Sequence, residues 1–124
     1  MLNFWFADCE WCKREFPALE LAYSRYREDV EVIALTPYDS KGTAAALAQT
    51  HSLTFPVAVC SKSFPQAFGI NGYPTSVFLD REGRVSLIHS GAITSVDVFY
   101  AAFEAYAAED YTHAAYGSIS ELLG

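Results

Sequence analysis

No apolar run in this sequence approaches the ~20 residues that a membrane-spanning helix needs. Runs such as Val57 to Cys60 and Thr75 to Leu79 are a fraction of that length, so no span is expected. Basic residues are also scarce. Eight Lys and Arg stand against fifteen Asp and Glu, a formal net charge of -7, and no basic cluster is long enough to attract a polyanion. Nucleic acid and anionic lipid are therefore excluded as expected partners. The opening Met1-Leu2-Asn3-Phe4-Trp5-Phe6 lacks the basic start and small-residue cleavage site of a leader. It reads as the interior of a structural element, so it says nothing against a signal or anchor upstream. Three cysteines are too few for a disulfide scaffold and do not fix a compartment. There is no internal repeat and no low-complexity linker.

What is present is a chain of 124 residues, 52% hydrophobic, enough for one domain with one core. Leu2 to Phe6 reads as a buried strand, with Phe4, Trp5 and Phe6 as core residues. From Glu10 to about Glu28, Phe16, Leu19, Ala22, Tyr23 and Tyr26 recur at helical spacing on one face, and Pro17 inside that helix is expected to bend it. Val30 to Leu35 reads as a strand, Thr43 to His51 as an alanine-rich helix, Phe55 to Cys60 as a short strand and Phe64 to Phe68 as a brief helix. Thr75 to Leu79 and Val85 to Ser90 form a hairpin across Asp80-Arg81-Glu82-Gly83, with glycine where a positive φ is expected. From about Val96 the chain reads as helical to near Leu123, with a break around Glu109-Asp110 or Gly117.

Cys9-Glu10-Trp11-Cys12 falls where a strand ends and a helix starts. A three-residue separation puts both sulfurs on one face of the first turn, a geometry that allows a disulfide. The helix N-terminus carries partial positive charge and unpaired N–H groups that stabilise a thiolate. Cys9 is then the nucleophile and Cys12, one turn deeper, the resolving thiol. Dithiol-disulfide exchange by such a pair requires no cofactor. Taken alone, the motif can also be half of a zinc site or two incidental thiols. A structural zinc site needs two further ligands at compatible spacing, and Cys60, His51, His89 and His113 are isolated, so no metal is expected.

Three blocks in this order carry a resemblance: Leu2 to Cys12, Pro17-Ala18-Leu19-Glu20, and Gly72-Tyr73-Pro74-Thr75 through Val85. From Leu2 to roughly Phe103 the chain resembles the thioredoxin superfamily, and within it the TlpA/ResA-like branch of extracytoplasmic thiol-disulfide oxidoreductases. The resemblance implies an α/β thioredoxin-like fold, a central mixed β-sheet flanked by helices, with an extra helix-strand unit at about Asp39 to Cys60. It implies that Pro74 is cis and lies beside the cysteine pair, where the backbone of Tyr73 pairs with substrate. It also implies protein disulfides or dithiols as partners, a membrane electron-transfer protein as reductant, and a place outside the cytoplasm, periplasmic or membrane-tethered. Members of this branch carry a strand-containing segment before the position of Leu2, which this chain is expected to lack.

The departures bear on chemistry. The family usually has tryptophan before the first cysteine and often proline before the second, where this chain has Asp8 and Trp11. Trp11 reads either as an exposed contact for a protein substrate or as a cover over Cys12. Asn3 stands where thioredoxin has a buried acid, which leaves Glu10 as the nearest substitute. Glu10 either modulates the Cys9 pKa and exchanges protons or simply suits the helix dipole. Asp8 adds negative charge or caps the helix. Cys60 reads as a buried strand-end thiol or an auxiliary redox partner.

Residues 1–108 are assigned to the thioredoxin-like domain and 109–124 to a helical extension packed on it, with a monomer favoured over a dimer. The rivals are a redox-inactive binding module on the same fold and a peroxiredoxin-like peroxidase. The latter's Pro-X-X-X-Thr-X-X-Cys signature is absent around Cys9. Because Asp8 and Glu10 set two carboxylates beside Cys9, the pair is expected to be reducing. A dithiothreitol redox titration should place it nearer the ~-270 mV of thioredoxin than ~-120 mV, and a value above about -180 mV would contradict the charge argument.

Overall fold

The computed structural model describes residues 1–109. All but the first residue of the expected extension over 109–124 therefore lies outside the described residues. The elements in chain order are β1 (Leu2–Phe4), α1 (Glu10–Tyr26), β2 (Ile33–Thr36), α2 (Lys41–Thr50), β3 (Val57–Val59), α3 (Ser63–Ala67), β4 (Thr75–Leu79), β5 (Val85–Ser90) and α4 (Val96–Ala107). The strands form one mixed sheet in the order β3-β2-β1-β4-β5. β1, β2 and β3 run parallel, while β4 pairs antiparallel with both β1 and β5. Helices flank the sheet, as an α/β thioredoxin-like fold requires.

Alternation along the central strands sorts the core into two clusters. Met1, Trp5 and Phe78 point to the face covered by α1, α2 and α4, where they join Phe16, Leu19, Ala44, Phe99 and Phe103. Phe4 and Val77 point to the opposite face, where they meet Ile70 and the half-buried Phe68. There Phe4 lies 5.9 Å from both the Phe64 ring of α3 and the Phe68 ring just after it. The larger cluster is rich in aromatic rings, with Trp5 edge-on to Phe16 at 5.6 Å and Tyr26 edge-on to Phe103 at 6.3 Å, the second pair holding α1 against α4.

Several boundaries differ from the sequence reading, each for a local reason. β1 stops at Phe4, although the Trp5 N–H still donates to the Leu35 carbonyl. β2 starts at Ile33 because the Asp29 and Val30 N–H groups are taken by the Tyr26 carbonyl at the end of α1. α2 starts two residues early because Ser40 caps it, its hydroxyl accepting from the Thr43 N–H at 3.1 Å. α1 continues through Pro17 and ends at Tyr26, two residues short of the expected Glu28. The β4–β5 hairpin has the expected bounds, with Gly83 at φ +80° and Asp80 Oδ1 accepting from the N–H groups of Glu82 and Arg84.

Phe103 is fully buried where α4 meets α1. Phe103→Ala should lower the unfolding free energy by about 3–5 kcal/mol in urea melts of the oxidised protein. A loss below about 1 kcal/mol would remove α4 from the structural core.

Candidate active site

β1 and the turn after it deliver the chain to the start of α1, and the residue that caps this helix is Cys9, not Asp8. Cys9 has the extended backbone of a cap, φ -84° and ψ 102°, and its Sγ accepts from the Cys12 N–H at 3.2 Å. Asp8 stands one residue outside, exposed. Cys9 and Cys12 form a disulfide with S–S 2.17 Å and Cα–Cα 5.3 Å. Cys9 keeps 7% of its surface exposed and Cys12 none, so a partner reaches the pair through Cys9. The same N–H and the helix N-terminus interact more strongly with a thiolate at this position than with a neutral sulfur.

The neighbours fall into an exposed and a buried set. Glu10 is exposed on the first turn, with Lys13 at 3.6 Å and Arg14 at 3.8 Å, so part of its charge is met before it acts on Cys9. Trp11 is 56% exposed and carries the Arg14 guanidinium over its ring at 4.7 Å. More than half of its surface is therefore open to solvent, as an exposed contact residue requires. A shallow depression of about 350 Å³ brings Trp11 together with Tyr73, Pro74, Gly91 and Ala92. The Tyr73–Pro74 peptide bond is cis, and the Pro74 carbonyl accepts from the Gly91 N–H at 2.9 Å.

The buried set contains a residue that the sequence reading passed over. Glu15, one turn beyond Cys12 on the inward face of α1, has no exposed surface. Its Oε1 accepts from Asn3 Nδ2 at 2.6 Å and its Oε2 from the Ile93 N–H at 2.7 Å. Burial lifts its pKa from 4.5 to about 7 against the opposing pull of those two hydrogen bonds. Asn3 thus holds an acid in place of being one. The available signal was Asn3 itself, a polar side chain in the middle of an apolar strand that needs a buried partner. Glu15 is the acid that helical periodicity places on the same side as Cys12, Phe16 and Leu19.

Cys60 follows β3 and is half-buried against the Phe4 cluster, and burial pushes its thiol pKa up. Tyr73 stands beside it, with its hydroxyl raised to about 12 by burial, by a hydrogen bond with Tyr38 and by the charges of Tyr38 and Cys60. Among the described residues no group of three or more His, Cys, Asp or Glu side chains is placed to hold a metal ion.

Glu15 makes stability depend on pH. Below 4.5 its carboxyl is protonated in both folded and unfolded chains and burial costs no charge. As pH rises toward 7 the unfolded chain ionises first, so the folded state loses stability across that window, and above it the loss is complete. The stability of the wild type relative to Glu15→Gln should therefore fall between pH 4.5 and about 7 and then level off. A flat difference in urea melts at stepped pH would mean that the carboxyl is hydrated.

With this geometry in hand, comparisons with known proteins agree on one family. Residues 1–88 match the model of the AhpC/TSA family. The chain is 32% identical over 101 residues to the thioredoxin-like protein YneN of Bacillus subtilis (strain 168), covering 79% of this chain and 59% of that protein. It is 32% identical over 95 residues to the thiol-disulfide oxidoreductase ResA of Halalkalibacterium halodurans, covering 75% and 54%. The chain thus spans little more than half the length of these curated relatives. Among solved structures, one described as a thiol:disulfide interchange protein DsbE from Chlorobium tepidum superposes with a TM-score of 0.72 at 28% identity, over 90% of this chain and 78% of that one. A thioredoxin-like sheet, a Cys-X-X-Cys pair where its central strand leads into α1 and a family match over most of the described residues lead to one conclusion: the chain belongs to the AhpC/TSA family.

Proposed function

We propose that the chain is a thiol-disulfide oxidoreductase that reduces disulfides in protein substrates outside the cytoplasm, with Cys9 and Cys12 as its working pair. The observation that carries this reading is the cap: the one cysteine of the pair that keeps any exposed surface sits on the N-terminus of α1, next to a depression lined by Trp11, Tyr73 and Pro74. In the reduced protein the Cys9 thiolate attacks one sulfur of a substrate disulfide. A Cys9–substrate bond forms and the first substrate thiolate leaves, taking up a proton. Cys12 then attacks Cys9 Sγ and expels the second substrate thiolate, which leaves the Cys9–Cys12 disulfide. Two electrons and two protons pass to the substrate, and a dithiol donor, by resemblance a membrane electron-transfer protein, restores the pair.

Glu15 supplies what a fully buried Cys12 otherwise lacks, a nearby group that takes up its proton. Its pKa of about 7 suits exchange near neutrality. Glu10 stays in the proposal as a local charge on Cys9, reduced by Lys13 and Arg14. Trp11, Tyr73 and Pro74 serve as the substrate contact, with the Tyr73 backbone pairing with the bound segment. The names of the relatives, thiol-disulfide oxidoreductase ResA and thioredoxin-like YneN, support this class of activity.

The test is insulin reduction by dithiothreitol, with alkylation of the reduced protein alongside. The wild type should accelerate insulin precipitation, Cys9→Ser should not, and iodoacetamide near neutral pH should label Cys9 before Cys12 and Cys60. Equal rates for wild type and Cys9→Ser would leave a redox-inactive binding module, and preferential labelling of Cys60 would overturn the assignment of the pair.

A further inference from the structure

Tyr38 sits in the loop between β2 and α2 and is 57% exposed, yet it is held on every inner side. Its ring is edge-on to Phe6 at 5.8 Å and to Tyr73 at 5.8 Å, and Phe6 is edge-on to Tyr73 at 5.5 Å, a closed triangle of aromatic contacts. The loop beneath is pinned as well. Asp39 Oδ2 accepts from the Ala7 N–H at 2.8 Å and from Thr36 Oγ1 at 2.7 Å, which ties the loop to the turn that leads into Cys9. An exposed aromatic ring that has already lost its rotamer freedom costs little to bind against, and that is the property of an interface anchor.

A cation accompanies it. Lys62 Nζ lies 5.7 Å from the Tyr38 ring centroid, and Lys62 makes no salt bridge among the described residues, in a chain of net charge -7. On the other side of the depression Arg14 covers Trp11, but Arg14 already has Glu10 at 3.8 Å. Of the two cations that lie over aromatic rings beside the depression, Lys62 is the one without an ion pair among the described residues.

We propose that Tyr38 and Lys62 form a specificity subsite for the polypeptide that exchanges with Cys9, taking a large apolar side chain on the Tyr38–Tyr73 wall and an acidic neighbour at Lys62. The occupant is an extended segment running past Tyr73 and Pro74 with its disulfide at Cys9. This rests on the thiol-exchange reading. Acidic substrates are otherwise repelled by a chain of this net charge, so a lysine set beside an aromatic anchor discriminates among them by position.

The test measures how fast the reduced protein is oxidised by three disulfides: a peptide disulfide with Phe and Asp beside its cysteine, one with Ala and Lys, and bis(2-hydroxyethyl) disulfide. Each reaction yields two thiols and the Cys9–Cys12 disulfide. Wild type should prefer the Phe/Asp peptide. Tyr38→Ala and Lys62→Glu should each slow that peptide about tenfold, through KM, while leaving the hydroxyethyl reaction unchanged. Tyr38→Phe should keep the wild-type rate. Equal rates of wild type for both peptides, or an equal loss on all three disulfides, would overturn the subsite. If wild type fails to react even with bis(2-hydroxyethyl) disulfide, the thiol-exchange reading itself fails, a result separable from loss of peptide preference alone.

Discussion

A carboxylate without access to water ties three parts of this domain together. Glu15 leaves α1, takes a hydrogen bond from Asn3 on β1 and another from the Ile93 N–H beyond β5. Two of these partners are separated from it by 12 and 78 residues. A buried acid that lost either would keep its desolvation cost without compensation, so the interaction constrains the position of α1 on the sheet more tightly than apolar packing alone. Cys12 lies one turn before Glu15 and Cys9 one turn before Cys12. Fixing Glu15 therefore fixes the height of the disulfide above β1. The same bond fixes Ile93, and with it Gly91 and Ala92, which line the depression opposite Trp11. The acid thus sets both the disulfide and one wall of the depression beside it.

The sequence was most legible where structure depends on near neighbours. The β4–β5 hairpin could be read to the residue because Asp80, Gly83 and Arg84 specify their own turn. The position of the pair at a strand-to-helix junction was legible for the same reason. Of the two readings of Asp8, local charge or helix cap, the cap fails: Asp8 has the better cap side chain by type, but the backbone puts the extended cap conformation at Cys9, whose sulfur does the accepting. The start of β2 was set too early because β-branched Val30 and Val32 look strand-like, whereas the Val30 N–H belongs to the end of α1.

What remained hidden was long-range. Glu15 reads in sequence as one charge among Glu10, Lys13, Arg14 and Glu20 on an amphipathic helix, and only the inward phase of that helix distinguishes it. Its significance needs Asn3 and Ile93 in place. Tyr38, Tyr73 and Phe6 share no spacing pattern, and their triangle exists because the parallel pairing of β1 with β2 and the antiparallel pairing of β1 with β4 bring three loops to one end of the sheet. The cysteine pair was legible because a motif names it. Glu15 and Tyr38 were not, since their surroundings are set by partners far along the chain.

These two levels explain the asymmetry of the pair. Cys9 is governed by local structure: it caps α1, keeps a small exposed surface and meets the field of the helix N-terminus. Cys12 is governed by tertiary structure: it is fully buried, and the titratable group closest along the inward face of its helix is Glu15 with its pKa near 7. A sulfur stabilised by a helix terminus ionises without help, but a sulfur enclosed in an apolar core does so only if its proton has a destination. In the exchange proposed above, with Cys9 attacking and Cys12 resolving, the cap would serve the first step and the buried acid the second. The Asn3–Glu15 bond keeps that acid at a fixed place in the core, and β1 supplies it because Asn3 is the polar residue between Leu2 and Phe4.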